Sequence, residues 1–552
     1  MVSPEREVHR TLVALGFIRD ASVTRGARYT GSIPVSGRSL RCAIVLDDFE
    51  FARLPRLQLP HANEDLPELI AHLEQEGGYC YANRDQYVLD HFNPREAMLQ
   101  SLQLMRASLE RSLTRHAQPE IEAEFPQHWF GISVYVDLKQ PSQSAPLYIV
   151  GNADKSEKLV LADTPRVAGL LDGFKPKSCR RVGLIRTSRT LTFTASQTRP
   201  NTLSEFLTWL SSIDPALGPL ALSRLRKESD NPRTVFIFAP NGVVGAQVQI
   251  PPIWKKAIEE RPQSMARFLD KRRDALGIQR MFGEPIDPDF LYSRNMRNKK
   301  SFAGLSITLV GCGTIGSHLA KMLAQSGAGY GEKASLTLID EQQLKPGNIG
   351  RHLLGVPDIG RNKAVAVRDE LLRLYPGLKI SAIGDDTLKR LDGLLDDQLV
   401  IDATGDEGVA NAINARLLGA LRDNGKVPAT IYAWLFGNGA AAQSLFWDSM
   451  DFACYRCLKP EHGGNWRFNP LKTEYQLETV AAQCGEGAYL PYGVSSSVLA
   501  ASIAFQTALD WLNGGASPRL RTQRISSDRT QQVKDQDPSR SPRCPACGNE
   551  NA

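Results

Sequence analysis

Apolar residues near the amino-terminal end of the chain recur with two different periods. Around Val8 to Phe17 they follow helical spacing, and Leu40 to Leu46 alternates as a strand does. Met98, Leu102, Met105 and Leu109 fall on one face of a helix over about Pro94 to Ser112. Residues 1–122 therefore read as a compact α+β unit. The next stretch, 123–275, is built of short β-rich segments, Gly131 to Leu138, Leu147 to Gly151, Arg181 to Thr187 and Thr234 to Ala239, with a helix near Leu203 to Ile213. It reads as a central α+β linker domain without a chemical motif. Pro285 to Lys300, rich in Pro, Asp, Arg and Lys, reads as a connector. From Leu305 strands and helices alternate strongly, the pattern of a parallel sheet with helical crossovers. Residues 276–552 are thus expected to form a Rossmann-like α/β domain, making the chain multidomain, α/β and α+β. The polar, Arg-rich tail from Arg519 to Arg543 is expected to be an exposed, partly flexible excursion.

Composition narrows the class of protein. At 552 residues the chain exceeds what one hydrophobic core ordinarily serves. Its apolar fraction of 42% and charged fraction of 23% are those of a soluble globular protein, and no run approaches the roughly 18 apolar residues of a membrane helix. The charged opening Met1-Val-Ser-Pro-Glu-Arg lacks a signal peptide's apolar core, so a cytoplasmic location and no membrane partner are expected. In that reducing compartment the nine cysteines should be thiols, metal ligands or nucleophiles. The net charge of +6 is modest, and no dense basic run with interleaved aromatics occurs, which argues against a nucleic-acid partner.

The first motif that carries chemistry is Ser306-Ile-Thr-Leu-Val-Gly311-Cys-Gly313-Thr-Ile-Gly316, a buried strand followed by GxGxxG and a helix over Ser317 to Ser326. Gly311, Gly313 and Gly316 let backbone N–H groups and the positive helix end approach phosphate oxygens. Alone, the pattern fits NAD as readily as ATP. Leu336-Thr-Leu-Ile-Asp340 ends in a carboxylate at the spacing for ribose hydroxyls, which does not choose between them. The choice comes with Asn348, Arg351 and Lys363, in Asn-Ile-Gly-Arg and Gly-Arg-Asn-Lys. Two cations and an amide suit a triphosphate, whereas a dehydrogenase would have little phosphate left for them to bind. A third strand, Gln398-Leu-Val-Ile-Asp402, ends in a carboxylate at the carboxyl edge of the sheet, where Mg2+ bridging phosphates could be held.

Taken in order, these motifs resemble the ThiF/MoeB and ubiquitin-activating adenylation family over roughly residues 285 to 552. Tyr292-Ser-Arg294 looks like that family's opening arginine motif, Asp340 to Arg351 like its nucleotide segment, and Lys363 and Asp402 like its lysine and magnesium aspartate. The resemblance implies that a protein's C-terminal carboxylate attacks the α-phosphate of ATP, giving an acyl-adenylate and pyrophosphate. It also implies a homodimer through this domain, with Arg294 completing the site of the partner.

Cys454-Tyr-Arg-Cys457 and Cys544-Pro-Ala-Cys547 are two CxxC knuckles, and four sulfurs presented to one tetrahedral ion indicate structural Zn2+. Their separation is long for a small zinc ribbon but matches what the adenylation family uses to tie down its C-terminal segment. Of the remaining cysteines, Cys42, Cys179 and Cys312 read as core or loop thiols. Cys484 precedes a helix of small and apolar residues from about Gly493 to Trp511, and proximity to a helix N-terminus can lower a thiol pKa toward the reactive thiolate. In the resembled family a cysteine at this place accepts the activated acyl group.

Cys80 lies in Gly77-Gly-Tyr-Cys80, after the Pro-flanked strand Leu54 to Pro60 and before Asn93-Pro94 opens a helix. That order resembles the ubiquitin-conjugating fold across residues 1 to about 120. The family places an asparagine eight residues before its cysteine to steady an oxyanion, and this chain has His72 there. A neutral histidine can also donate one hydrogen bond, so the substitution alters the chemistry without forbidding it.

Together these features predict ATP-dependent adenylation of a protein C-terminus, a thioester on Cys484, transfer to Cys80 and conjugation to a target lysine. A bacterial fusion in this order resembles the conjugating proteins of CBASS antiphage systems, which implies a CD-NTase, or else a ubiquitin-like protein, as the activated partner. The competing reading is a sulfur-carrier adenylyltransferase of ThiF/MoeB type with a non-catalytic N-terminal module. A degenerate scaffold is disfavoured by the intact set Gly311, Asp340, Arg351, Lys363 and Asp402.

Overall fold

Ser36 and Gly37 both have positive φ, 49° and 79°, which suits a two-residue hairpin turn between the strands Ala27–Val35 and Arg38–Leu46. They belong to an antiparallel five-stranded sheet that runs in chain order through Ile18–Arg19, Ala27–Val35, Arg38–Leu46, Arg56–Gln58 and Gly78–Tyr79. Ser3 caps the helix Pro4–Ala14, and Asn93 caps Pro94–Ser112 through its side chain. The two helices bury Val8, Leu12, Met98, Met105 and Leu109 in one core with Tyr29 and Ile44 of the sheet. The computed structural model describes residues 3–548 apart from 24, 61–69, 75, 83–86, 114–117, 139–141, 152–155, 164–174, 194–197, 228–231, 262–263, 297, 462 and 482–487. It divides into two units, Met1–Asp287 and Pro288–Ala552.

The rest of the first unit is a closed seven-stranded barrel. Its strands follow the order Thr234–Ala239, Gly242–Gln249, Gly277–Pro285, Ile132–Asp137, Glu157–Ala162, Ser144–Gly151 and Lys175–Arg186, the last pairing back onto the first. Gly277–Pro285 lies in the stretch expected to open the α/β domain, yet it pairs with Ile132–Asp137 and Gly242–Gln249, so the barrel runs through Pro285. The helices Leu203–Ile213 and Leu217–Lys227 pack Phe206, Leu210 and Ala221 onto Val235, Ile237 and Val244 of the barrel.

The second unit is a seven-stranded sheet in the order Ile380–Ile383, Ser335–Ile339, Ser306–Val310, Leu399–Asp402, Ala429–Phe436, Ala441–Trp447 and Leu520–Arg524. The first five strands are parallel, and Ala441–Trp447 runs antiparallel to both its neighbours, Ala429–Phe436 and Leu520–Arg524. Helices Thr314–Gln325, Lys363–Leu374 and Val494–Leu512 cover one face, and Glu407–Asn424 the other. The sheet changes direction of travel between Ser306–Val310 and Leu399–Asp402, which opens a crevice at their carboxyl ends.

The arginine-rich tail departs from expectation. Leu520–Arg524 is an edge strand on Ala441–Leu445, and Arg519 is buried, with its guanidinium 3.9 Å from the Phe452 ring centroid and 2.7 Å from Asp448. Asp535 and Asp537 accept backbone N–H bonds from Thr522 and Arg519 at 2.7 and 2.9 Å. Local carboxylates thus satisfy a segment whose composition suggested exposure. Among the described residues no helix is long and apolar enough to cross a membrane.

Candidate active sites

The crevice holds a cavity of about 300 Å3. Gly311, Gly313, Asp340, Asn348, Arg351 and Lys363 all line it, so the fold gathers six of the eight residues expected to hold a nucleotide. Gly316 sits in the first turn of the helix, where a Cβ would clash with the Gly311 carbonyl oxygen. It therefore sets the close approach of helix to loop. At Gly313, the residue that caps the helix, an added Cβ would meet nothing within 4 Å, leaving the backbone open to the cavity.

Asp340 holds the loop: its carboxylate accepts the Cys312 and Gln342 backbone N–H groups, each at 2.8 Å. Lys363 donates to Gln342 Oε1 at 2.8 Å, and burial pulls its pKa below the usual lysine value while Asp340 works the other way. Asn348 accepts from the Lys345 N–H at 3.0 Å. Asp402 is not part of the wall. It is 3% exposed and accepts from the Thr404 N–H and hydroxyl at 3.0 and 2.7 Å, with Thr404 itself facing the cavity. Burial pushes its pKa up to about 6. A buried carboxylate of this kind, with Asp386 and Asp406 on the wall, is an oxygen donor set that suits Mg2+.

The wall also includes residues that the sequence reading did not single out, among them Thr314, Gln342, His352, Asp386 and Tyr492. The Arg351 guanidinium lies 4.4 Å from the Tyr492 ring centroid, and the Tyr492 hydroxyl is 2.9 Å from Thr314 Oγ1. His352 accepts the Leu354 N–H at Nδ1, so its proton sits on Nε2, which donates to the Cys312 carbonyl at 2.8 Å. His352 could have been suspected from its place beside Arg351. Tyr492, far along the chain, had no spacing rule to announce it. Arg294 does not line this cavity; it follows the short helix Pro288–Ser293 with its guanidinium over Phe290. Cys484 lies outside the described residues. Its flanks, Val480–Ala481 and Ala488–Tyr489, pair as a two-stranded antiparallel ribbon.

Cys454, Cys457, Cys544 and Cys547 converge, all buried, with their sulfurs within 4.8 Å of one another. Sulfur separations of 3.8, 3.8, 3.5 and 3.2 Å compare with an edge of about 3.8 Å for a tetrahedron with Zn–S near 2.3 Å. Asn414 Nδ2 donates to Cys454 Sγ at 3.6 Å and the Ser541 N–H to Cys457 Sγ at 3.4 Å, a second layer typical of thiolate ligands. The donor set therefore fits a zinc ion.

In the first unit Cys80 is exposed and directly follows the strand Gly78–Tyr79. Its N–H donates to the His72 carbonyl at 3.0 Å, so the two residues expected to act together are adjacent across the turn. The His72 ring engages two carboxylates, with Nε2 3.1 Å from Glu120 and Nδ1 3.3 Å from Glu124. The hydrogen bond that His72 donates to Glu124 raises the His72 pKa against the opposing effect of burial. Both ring nitrogens thus face carboxylates, an arrangement that favours the charged ring.

Family models match in the same order as these sites. The prokaryotic E2 family B model covers residues 20–132 and the ThiF family model residues 292–546. The "ATP-dependent ubiquitin transferase-like protein Cap2" of Pseudomonas aeruginosa (strain BWHPSA011 / Pa011) is 32% identical over 541 residues, 93% of each chain. The chain belongs to the Cap2 family. A Cap2 of Escherichia coli (strain TW11681) is 25% identical across 94% of this chain and 93% of its own. The crystal structure of E. coli MccB with ATP matches 47% of this chain and 68% of its own at 19% identity and a TM-score of 0.33. As a Cap2-family chain, the protein is an ATP-dependent, ubiquitin transferase-like enzyme.

Proposed function

We propose that the chain runs both halves of a ubiquitin-like conjugation on the C-terminus of a partner protein. ATP binds in the cavity between Gly311 and Thr404, with the phosphates on the Gly311–Gly313 backbone and the cations Arg351 and Lys363, and Asp340 facing the ribose. Mg2+, when bound, would be held near Asp402 and would neutralise phosphate charge. The partner's terminal carboxylate attacks the α-phosphorus, forming the acyl-adenylate and releasing pyrophosphate. The Cys484 thiolate attacks the acyl carbon and releases AMP. Cys80 then takes the acyl group by thioester exchange, and a lysine amine displaces Cys80 to form an isopeptide bond. Joining both activities in one chain replaces a bimolecular hand-off by one at high effective concentration.

The observation that carries this reading is the gathering of Arg351 and Lys363 with the Gly311–Gly313 backbone in one cavity, in a chain that also bears an exposed Cys80 on a conjugating-type turn. In the cytoplasm of a bacterium the activated partner is a CD-NTase of an antiphage system. Arg294 completes the site of a second subunit in a homodimer. Structural zinc on the four cysteines anchors the tail.

Intact mass of the purified protein with Mg-ATP and a candidate CD-NTase tests the relay. Wild type should carry a reductant-sensitive adduct. Cys80→Ala should stall it on Cys484, and Cys484→Ala should abolish it. ATP consumption without any thioester at Cys80 would favour the sulfur-carrier reading instead.

A further inference from the structure

Two cavities meet at Cys80. The larger, about 850 Å3, extends past the strand Arg56–Gln58 and Tyr79 to Tyr87 and Arg111. The smaller, about 310 Å3, is closed by His128, Phe130 and Phe282. They share His72, Glu74, Cys80 and Glu124. A thioester-transfer centre needs two approaches, one for the acyl donor's polypeptide tail and one for the acceptor's side chain. The two volumes differ in the sense those occupants require.

The smaller cavity is not a product of the five-stranded sheet and its helices alone. Phe282 stands on the barrel strand Gly277–Pro285 and packs against the barrel core. His128 belongs to the short helix Phe125–Trp129, and the Trp129 ring of that helix sits 4.7 Å from Trp209 inside the same core. Of the four described non-glycine residues with left-handed backbone, two, His72 with φ 66° and Phe130 with φ 51°, line this one cavity. Such conformations persist where their surroundings over-determine them, and they concentrate at functional sites. Here Arg199 supplies that support: its guanidinium lies 4.1 Å from the Phe130 ring centroid, and its Nε donates to the His128 carbonyl at 2.7 Å.

We propose that the barrel is a working wall of the transfer site, and that the cavity closed by Phe130 and Phe282 receives the acceptor, a primary amine on an unbranched apolar stem. Leu73, Phe130 and Phe282 offer apolar contact to the methylenes of a lysine, and the Glu74 and Glu124 carboxylates beside Cys80 offer charge complementarity to its ammonium group. The proposal rests on Cys80 being the thioester carrier. Once the ammonium has lost a proton to water, the nitrogen attacks the thioester carbonyl. A C–N bond forms as the C–S bond breaks, and the proton the nitrogen then gives up neutralises the departing Cys80 thiolate. Phe282 is a specificity determinant for this step rather than a catalytic residue.

The test uses full-length protein charged at Cys80 by exchange with a fluorescent peptide mercaptoethanesulfonate thioester, with the Cys80→Ala signal subtracted. Discharge is followed with Nα-acetyl-lysine and with hydroxylamine, which has no stem. Phe282→Ala should lower the ratio of the lysine rate to the hydroxylamine rate roughly tenfold, the scale of one or two methylene contacts in a pocket. Phe282→Leu should restore much of it, and Glu124→Gln, at the opposite, carboxylate-bearing side of the cavity, should lower the ratio without touching the barrel core. An unchanged ratio in both Phe282→Ala and Glu124→Gln overturns the proposal. Wild-type protein that takes no label above the Cys80→Ala background overturns instead the assignment of Cys80.

Discussion

The Arg351 guanidinium rests on the Tyr492 ring, 4.4 Å from its centroid, and its Nε is buried without a hydrogen-bond partner. No carboxylate is bridged to this arginine among the described ion pairs, so the aromatic face is what orients a cation toward the nucleotide cavity. Removing that face should cost ATP affinity more than turnover. In pyrophosphate exchange, Tyr492→Leu is expected to raise the KM for ATP about fivefold, from a cation–π contribution of about 1 kcal/mol. Tyr492→Phe keeps the ring, loses only the bond to Thr314, and should stay close to wild type. Equal losses in both variants would mean that the hydroxyl, not the ring, is the important contact.

The four-cysteine cluster makes a prediction of a different kind. Cys454 precedes the turn Tyr455–Leu458 and Cys457 lies within it, while Cys544 and Cys547 lie at the far end of the chain, so a bound ion closes a long loop. Arg422 adds a bond to the Ala546 carbonyl at 2.8 Å. One zinc per chain is expected by elemental analysis. Cys544→Ser should release it and lower the melting temperature, because binding energies of order 10 kcal/mol in such sites act as folding energy. Freshly purified protein without zinc, yet with an unaltered melting temperature in Cys544→Ser, would remove the metal from the account.

How much of this was legible in the sequence depends on the range over which each feature is specified. The glycine loop, Asp340 and Lys363 were legible because each is fixed by its own strand end or helix start, and the parallel sheet then brings those ends together, while Arg351 lies in the turn-rich connection between Asp340 and Lys363. The helix Pro94–Ser112 was legible for the same reason, with Asn-Pro at its start and a periodic apolar face. The barrel was not, because its closure pairs Ile132–Asp137 with Gly277–Pro285, and no local pattern records a partner so distant. Tyr492 and the Glu120–Glu124 clamp on His72 share that difficulty. Each reaches its site from another element, and composition around it reads as ordinary surface. Leu520–Arg524 was hidden by its own polarity, since an edge strand can satisfy its charges locally and still pair along its backbone.

The His72 clamp gives the first unit a pH dependence whose sign can be worked out. Glu124 and Glu120 raise the His72 pKa in the folded chain above the ordinary value of 6.5. That contribution is fully present below about 6.5, where both folded and unfolded rings are charged, and is lost as pH rises through the folded value. Glu124 behaves in the opposite sense: its pKa is lowered, chiefly by the bond to His72, so its share is lost as pH falls through that lowered value. His128, 3.8 Å from Glu124 and pushed down to about 4 by burial, stays neutral in the fold and costs stability as pH drops below 6.5. That cost is common to wild type and to His72→Gln, so comparing the two isolates the clamp. His72→Gln should therefore lower the melting temperature of the first unfolding transition more at pH ~6 than at alkaline pH above the raised folded value. A difference that is the same at both pH values would show that His72 holds its place by shape alone, and the carboxylates would then be bystanders to the Cys80 turn.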